Sequence, residues 1–292
     1  MKTPHMDEFR SLIIGLFPEL AASTFRLATK GWDSTAVDVD DRLIFKFPRH
    51  GVAKRALLRE AALLAVIRPS ISTAVPDMRI HEGPPLFSVH AKVKGEHLLT
   101  ADYAKLSQDA RQRLGEDLAR FYAEIHQLDA DRIRAAGARA IGPWQAPDVV
   151  RAKALPVLPR EIRDRAKEIV LEFERLPPDP YGTIYGFFDG HGWNMAFDHS
   201  KGLLIGIYDF ADSGFGPLHQ DFIYSNFISP DLTERIVTAY EQLTGLKIDR
   251  RRIEILTGFH RLSELAELTD DPEHAPTMIR SVAAWAGMTD HP

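Results

Sequence analysis

The 292-residue chain contains no cysteine. Disulfides, thiolate nucleophiles and Cys-ligated zinc or iron–sulfur centres are excluded together. No apolar run reaches the ~18–20 residues that span a bilayer. The first ten residues lack a basic region leading into an apolar stretch, so no secretory signal is expected. A basic excess is also lacking: 36 Lys and Arg against 41 Asp and Glu leave a net charge of −5, which speaks against a nucleic-acid partner. There is no Gly-x-Ser-x-Gly elbow for a serine hydrolase and no His-Glu-x-x-His metal pattern. A cytoplasmic protein with no membrane partner, monomeric or weakly dimeric, fits these absences.

What is present is an ordinary globular composition, 45% hydrophobic and 26% charged. The charge is uneven. From Asp221 onward there are twelve Asp or Glu against seven Lys or Arg, an excess that reads as solvated helix faces or as a surface steering a cationic substrate.

The period of the apolar residues changes along the chain. Thr24–Ala28, Ala36–Val39, Leu43–Phe47 and Leu86–Val93 are β-rich or alternating, with turns at Gly31–Ser34 and Asp40-Asp41. One helix, Lys54–Arg68, interrupts them and stops at Pro69. Beyond Gly95 the spacing is helical: Leu114, Leu118, Phe121, Ile125 and Leu128 lie on one face. Asp148–Leu176 reads as helix broken near Pro156 and Pro159. Leu232–Leu243, Arg250–Leu268 and Pro276–Trp285 are helical again. Between them sits a β-rich island, Tyr185 to Asp209. The expected class is α+β in two lobes, a β-rich N-terminal lobe over residues 1–93 and a mostly helical lobe over 94–292.

The island holds the densest polar cluster. Asp189 and Asn194 lie five residues apart in a Gly-rich loop, and Asp209 follows at the end of the strand Leu203–Tyr208. A turn at Asp198–Gly202 would fold Asn194 and Asp209 to the same end of a hairpin. Carboxylate, amide and phosphate oxygens so gathered suit Mg²⁺, and Asp189 would stand at the same mouth, free to take a proton. A carboxylate, an amide and a second carboxylate are the parts of a phosphoryl-transfer site. Asp beside Gly is also common in plain turns.

These residues resemble the aminoglycoside phosphotransferases of the protein-kinase-like superfamily. Asp189-x₄-Asn194 is similar to that family's catalytic loop, and Ile207-Tyr-Asp209-Phe-Ala-Asp212-Ser-Gly-Phe-Gly-Pro to its metal-binding segment, followed by a structural Asp221-Phe222. Ile44-Phe-Lys46-Phe-Pro48 resembles the strand with the phosphate-binding Lys, and Arg59-Glu60 the helix whose Glu pairs with it. Lys92-Val93-Lys94-Gly95 resembles the hinge that holds the base, and Gly31-Trp32-Asp33-Ser34 the nucleotide-positioning loop. The match runs from about residue 24 to about 245, nearest in flavour to the 2″-O-phosphotransferase branch. It implies a protein-kinase-like fold and a nucleotide-dependent kinase of a small hydroxylated acceptor. Asp189 would be the catalytic base. Asn194 and Asp209 would hold Mg²⁺, and ATP or GTP would lie on Lys46, Glu60, Asp33, Ser34, Lys92 and Val93. An unpaired ammonium is costly in a buried strand, which independently calls for a Glu60 partner to Lys46.

Two departures stand out. The family's loop His, two residues before the catalytic Asp, is Phe187 here, and His191 is off that position. The Gly-Asp-Pro of many relatives is Gly216-Pro217 here, without the Asp, which reads as structural drift. His126 reads as a helix-end residue favoured by the dipole, and Trp32, Trp144, Trp193 and Trp285 read as packing. For a polycationic aminoglycoside, Glu241, Glu264, Glu267, Asp270, Asp271 and Glu273 could line the acceptor pocket. Kinases of sugars, choline or homoserine share the same resemblance. A non-catalytic nucleotide-binding scaffold, or a metal-dependent hydrolase on Asp189, His191 and Asp209, are the competing classes.

Overall fold

The computed structural model describes residues 6–29 and 34–288. The N-terminal lobe starts with helix α1, Met6–Leu16, and continues through strands β1 Phe25–Thr29, β2 Ser34–Val39 and β3 Leu43–Pro48. Helix α2, Gly51–Ile67, then leads to β4 Arg79–His81 and β5 Phe87–Ala91. The five strands form one antiparallel sheet in the order β1-β2-β3-β5-β4. Alternation along β3 decides the two faces. Phe45 and Phe47 join Val37, Val39, Phe87, Phe9 and Ile13 in a core under α1, and Ile44 and Lys46 look the other way, into the cleft. The β2–β3 turn has Asp40 and Asp41 at φ 58° and 55°, a strain local hydrogen bonds offset. Asp38 accepts from the Asp41 amide at 2.9 Å and Asp40 from the Thr24 amide at 2.7 Å.

The rest is mostly helix: α3 Thr100–Tyr103, α4 Gln108–His126, α5 Ala130–Ala135, α6 Pro147–Val157 and α7 Arg160–Arg175. After β6 Thr183–Gly186, β7 Met195–Asp198, β8 Leu203–Ile207 and β9 Gly214–Pro217 come α8 Leu218–Asp221, α9 Pro230–Thr244, α10 Arg250–Leu268 and α11 Ala275–Met288. Pro159 separates α6 from α7, as the prolines predict. Ser229 caps α9, Pro230 opens it, and Gly245 ends it at φ 73°. Strands β7 and β8 pair as a hairpin across Asp198–Gly202, and β6 pairs with β9. Two strand-like links reach this hairpin, and the one from Ala74 comes from the N-terminal lobe. Glu96 exchanges backbone hydrogen bonds with Phe197 (2.9 and 2.8 Å), and the Ile207 amide donates to the Ala74 carbonyl at 3.0 Å. Among the described residues no helix is long and apolar enough to cross a membrane.

Sequence periodicity misses α1 and β4 and misplaces most helix ends by a few residues. Strand β4 has three residues, too few to show alternation.

Candidate active site

Lys46 projects from β3 toward α2, where Glu60 is almost completely buried. Its Nζ donates to Glu60 Oε2 and to Asp209 Oδ1, each at 3.0 Å. Burial opposes the ammonium, but the Glu60 and Asp209 carboxylates more than offset it and raise its pKa. Glu60 Oε1 also accepts from the Phe210 amide at 3.1 Å, and Arg59 donates to the Ala211 carbonyl at 2.8 Å. Helix α2 thus grips the 209–211 segment as well as Lys46. Asp209 itself sits at φ 66°, an unfavourable conformation for a non-glycine residue that these contacts hold.

The loop after β6 is held from below. Asp221, fully buried on α8, accepts from the backbone amides of Phe187 at 2.9 Å and Phe188 at 2.5 Å. Phe188 has φ 53°, so the residue preceding Asp189 is kept in the left-handed region by the hydrogen bond its own amide donates to Asp221. His126 Nε2 donates to Asp221 Oδ2 and its Nδ1 lies against the Tyr240 hydroxyl, both at 2.9 Å. His126 is the last residue of α4, as the helix-end reading has it, and its ring is in addition a buried prop beneath the loop. Gly192 is required here because a Cβ would collide with the Leu98 carbonyl.

Asp189 is bonded on both oxygens. Asn194 Nδ2 donates to Oδ2 at 2.6 Å and to the Asp189 carbonyl at 3.0 Å, and His191 Nε2 lies 3.0 Å from Oδ1. Burial lowers the His191 pKa, but the hydrogen bond and charge of Asp189 overcome it and raise it. In the sequence His191 is off the family's loop-His position and enters only the competing hydrolase reading. Its place inside the loop, two residues after Asp189, was the available signal. Asn194 leaves Oδ1 unengaged, and its carbonyl accepts from the Tyr208 amide at 3.0 Å, which sets it beside Asp209.

Two cavities flank this centre. The larger, about 1030 Å³, is lined by Lys46, Glu60, Lys92, Val93, Asn194 and Asp209. The smaller, about 530 Å³, is lined by Asp189, His191, Asp212 and Glu264 among others. Trp193, 56% exposed, lines both and Trp144 lines the second, so the packing reading holds for neither in full. In the hinge, the Lys92 amide donates to the Arg42 carbonyl at 2.8 Å and its ammonium pairs with Asp38 and Asp41 at 2.6 Å. Both Lys92 and Val93 line the larger cavity. Ser34 is buried in β2 opposite Pro48 and does not line the cavity. Asp33, with Gly31 and Trp32, lies outside the described residues.

The C-terminal acids are mostly engaged elsewhere. Glu241 pairs with Arg250, Asp270 with Lys153 and Asp271 with His274. Of the six acids named for this pocket only Glu264 lines the smaller cavity, which corrects the expectation of a pocket lined by all of them. Among the described residues no cluster of three His, Cys, Asp or Glu is placed to hold a metal by itself.

A model of the phosphotransferase enzyme family, APH, matches residues 24–256. The chain belongs to the APH phosphotransferase family. It is accordingly an enzyme of the protein-kinase-like fold, and solved structures agree on that fold. The GDP complex of aminoglycoside 2′-phosphotransferase-IIIa superposes with a TM-score of 0.83 at 18% identity, covering 98% of this chain and 100% of that one. The streptomycin–ATP–APH(2″)-IIa complex gives 0.66 at 18% identity, covering 97% of each chain. Macrolide 2′-phosphotransferase MphH from Brachybacterium faecium gives 0.63 at 17%, covering 93% and 98%. At such identities the likeness speaks for the fold of this family member, not for its acceptor.

Proposed function

We propose that the protein is a Mg²⁺-dependent O-phosphotransferase that moves the γ-phosphate of ATP or GTP to a hydroxyl of a small acceptor. The observation that carries this is the Lys46 ammonium fixed between Glu60 and Asp209 in one cavity, with Asp189 and Asn194 bonded to each other at its border. The nucleotide occupies the larger cavity beneath the lobe of residues 1–93, its base on the 92–93 backbone and its phosphates on Lys46. The acceptor occupies the smaller cavity, in the lobe of residues 94–292.

Asn194 Oδ1 and Asp209 suit Mg²⁺, which takes one or two protein oxygens and completes its shell from phosphates and water. Bound there, the ion would neutralise phosphate charge. Asp189 orients the acceptor hydroxyl and takes its proton as the hydroxyl oxygen bonds to the γ-phosphorus. The bond from that phosphorus to the β–γ bridging oxygen breaks, leaving ADP or GDP and a phosphate ester. Positioning and charge supply most of the rate. The acceptor is aminoglycoside-like or a hydroxylated metabolite of sugar, choline or homoserine type.

The test is a coupled assay of nucleotide consumption, with ATP and GTP, over aminoglycosides and hydroxylated metabolites. Asp189→Ala should lower turnover by at least ~10²-fold. Wild-type turnover in that variant, or failure of the wild type to bind Mg²⁺–nucleotide by calorimetry, would overturn the proposal.

A further inference from the structure

The larger cavity holds a ring nitrogen that no other described residue engages. His90, on β5, lies directly across from Ile44 of β3, and Ser88 lies across from Lys46. Residues directly opposite on paired strands project from the same face. His90 therefore points with Ile44 into the cleft, where it lines the cavity. It stands two residues nearer the hinge than Ser88, about 7 Å along the strand. That is between Lys46, which takes the phosphates, and the 92–93 backbone, which takes the base.

The two nitrogens of the ring have distinct roles. Nδ1 lies 2.9 Å from the Ala91 carbonyl, and a carbonyl only accepts, so Nδ1 carries the hydrogen. Burial, helped by the Lys46 ammonium and opposed by the Ala91 carbonyl, lowers the His90 pKa. The ring is neutral near pH 7, which leaves Nε2 as an acceptor. The charges beside it are spent on one another. Lys92 pairs with Asp38 and Asp41 at 2.6 Å, and the other Asp38 oxygen accepts from the Asp41 amide at 2.9 Å. Both oxygens of Asp38 thus already hold a donor.

We infer that Nε2 of His90 reads the 6-position of the purine and makes an adenine nucleotide the preferred phosphate donor over a guanine nucleotide. This inference rests on the nucleotide site proposed above. Adenine presents a 6-amino donor, which Nε2 accepts, whereas guanine presents a 6-oxo acceptor and sets two lone pairs against each other. The wrong base loses a hydrogen bond and also leaves two desolvated acceptors unpaired. The ring cannot adapt cheaply. Moving its hydrogen to Nε2 would turn the Nδ1 lone pair on the Ala91 carbonyl, and protonating both nitrogens would place a second buried cation near Lys46.

The experiment measures binding of ADP, GDP and inosine diphosphate, each with Mg²⁺, to the full chain by calorimetry. Inosine diphosphate keeps the 6-oxo group of guanine and lacks its 2-amino group, so it isolates the 6-position. Wild type should bind ADP at least ~10-fold more tightly than either 6-oxo nucleotide, the size of one hydrogen bond lost with its acceptor left unpaired. His90→Phe keeps a ring but no acceptor, and should cut the preference below about 3-fold, chiefly by weakening ADP. His90→Gln, whose amide turns to offer either an oxygen or an N–H, should lose the preference by gaining the 6-oxo nucleotides. Equal or tighter binding of GDP or inosine diphosphate by wild type would overturn the inference, as would a preference unchanged in either variant. A preference for GDP with phosphate transfer intact overturns this inference and leaves the phosphotransferase standing. Failure of every nucleotide to bind overturns both.

Discussion

The rings of Phe187 and Phe210 lie 4.8 Å apart, centroid to centroid, at 51°. Phe187, in place of a loop histidine, thus packs directly on the residue that follows Asp209. Phe121 completes the cluster, its ring edge-on to Phe187 at 5.6 Å. All three are fully buried. Aromatic packing here couples the 187–194 loop to the 209–211 segment where a hydrogen-bonding imidazole would otherwise act. Phe187→Ala should reduce stability by about 3–5 kcal/mol, the range for a buried Phe, read by denaturant unfolding. A loss under about 1 kcal/mol would mean the ring does not hold the two segments together.

Asp209→Ala removes one partner of Lys46 and the carboxylate proposed to hold Mg²⁺. Calorimetry should find nucleotide affinity in this variant insensitive to Mg²⁺, whereas wild-type affinity rises with the ion. A preserved Mg²⁺ response would take Asp209 out of the metal shell.

His126 and Asp221 act beneath the loop without reaching the cleft. His126→Ala leaves Asp221 and Tyr240 short of a buried partner, at about 1–3 kcal/mol for the unsatisfied groups. Because Asp221 holds the amides ahead of Asp189, kcat should fall more than KM rises. Stability loss with unchanged kcat would make His126 a packing residue alone.

The pH dependence of stability follows from Glu264. Its folded carboxyl titrates near 7 against an ordinary value of 4.5. Between those values the folded state holds a proton that the unfolded chain has lost, so raising the pH through this window destabilises the wild type. Below about 4.5 the effect vanishes, and above 7 it is complete. Buried His260, lowered to about 3 by burial and by the Arg261 and His191 charges, works in the opposite sense as the pH falls. Comparison with Glu264→Gln cancels that contribution. The variant should gain stability relative to wild type between pH 5 and pH 8, measured by urea unfolding. A gap that is constant with pH would show Glu264 ionised throughout.

Much of the site was legible because its residues are local in sequence. The five-residue step from Asp189 to Asn194 and the hairpin returning at Asp209 need only a short turn, and Asp198–Gly202 supplies it. Lys46 alternates against Phe45 and Phe47 on β3, and Glu60 lies on the helix that follows, 14 residues away. Pairs separated by long stretches left no such trace. His126 and Asp221 are 95 residues apart, and neither periodicity nor composition on α4 marks the histidine as anything but a helix residue.

The order of motifs, the β-rich start, the helical remainder and the identity of the polar groups are written in the chain itself, because alternation, helical spacing and turn residues are short-range properties. Which acids face the smaller cavity was decided only by tertiary packing. Glu241, Glu264, Asp270 and Asp271 are equivalent as letters in the acidic C-terminal segment, but Glu241 and Asp270 find Arg250 and Lys153, Asp271 finds His274, and Glu264 is turned inward beside His260. Helix crossing and burial, not composition, determine which acid meets a cation at the surface and which faces the cavity.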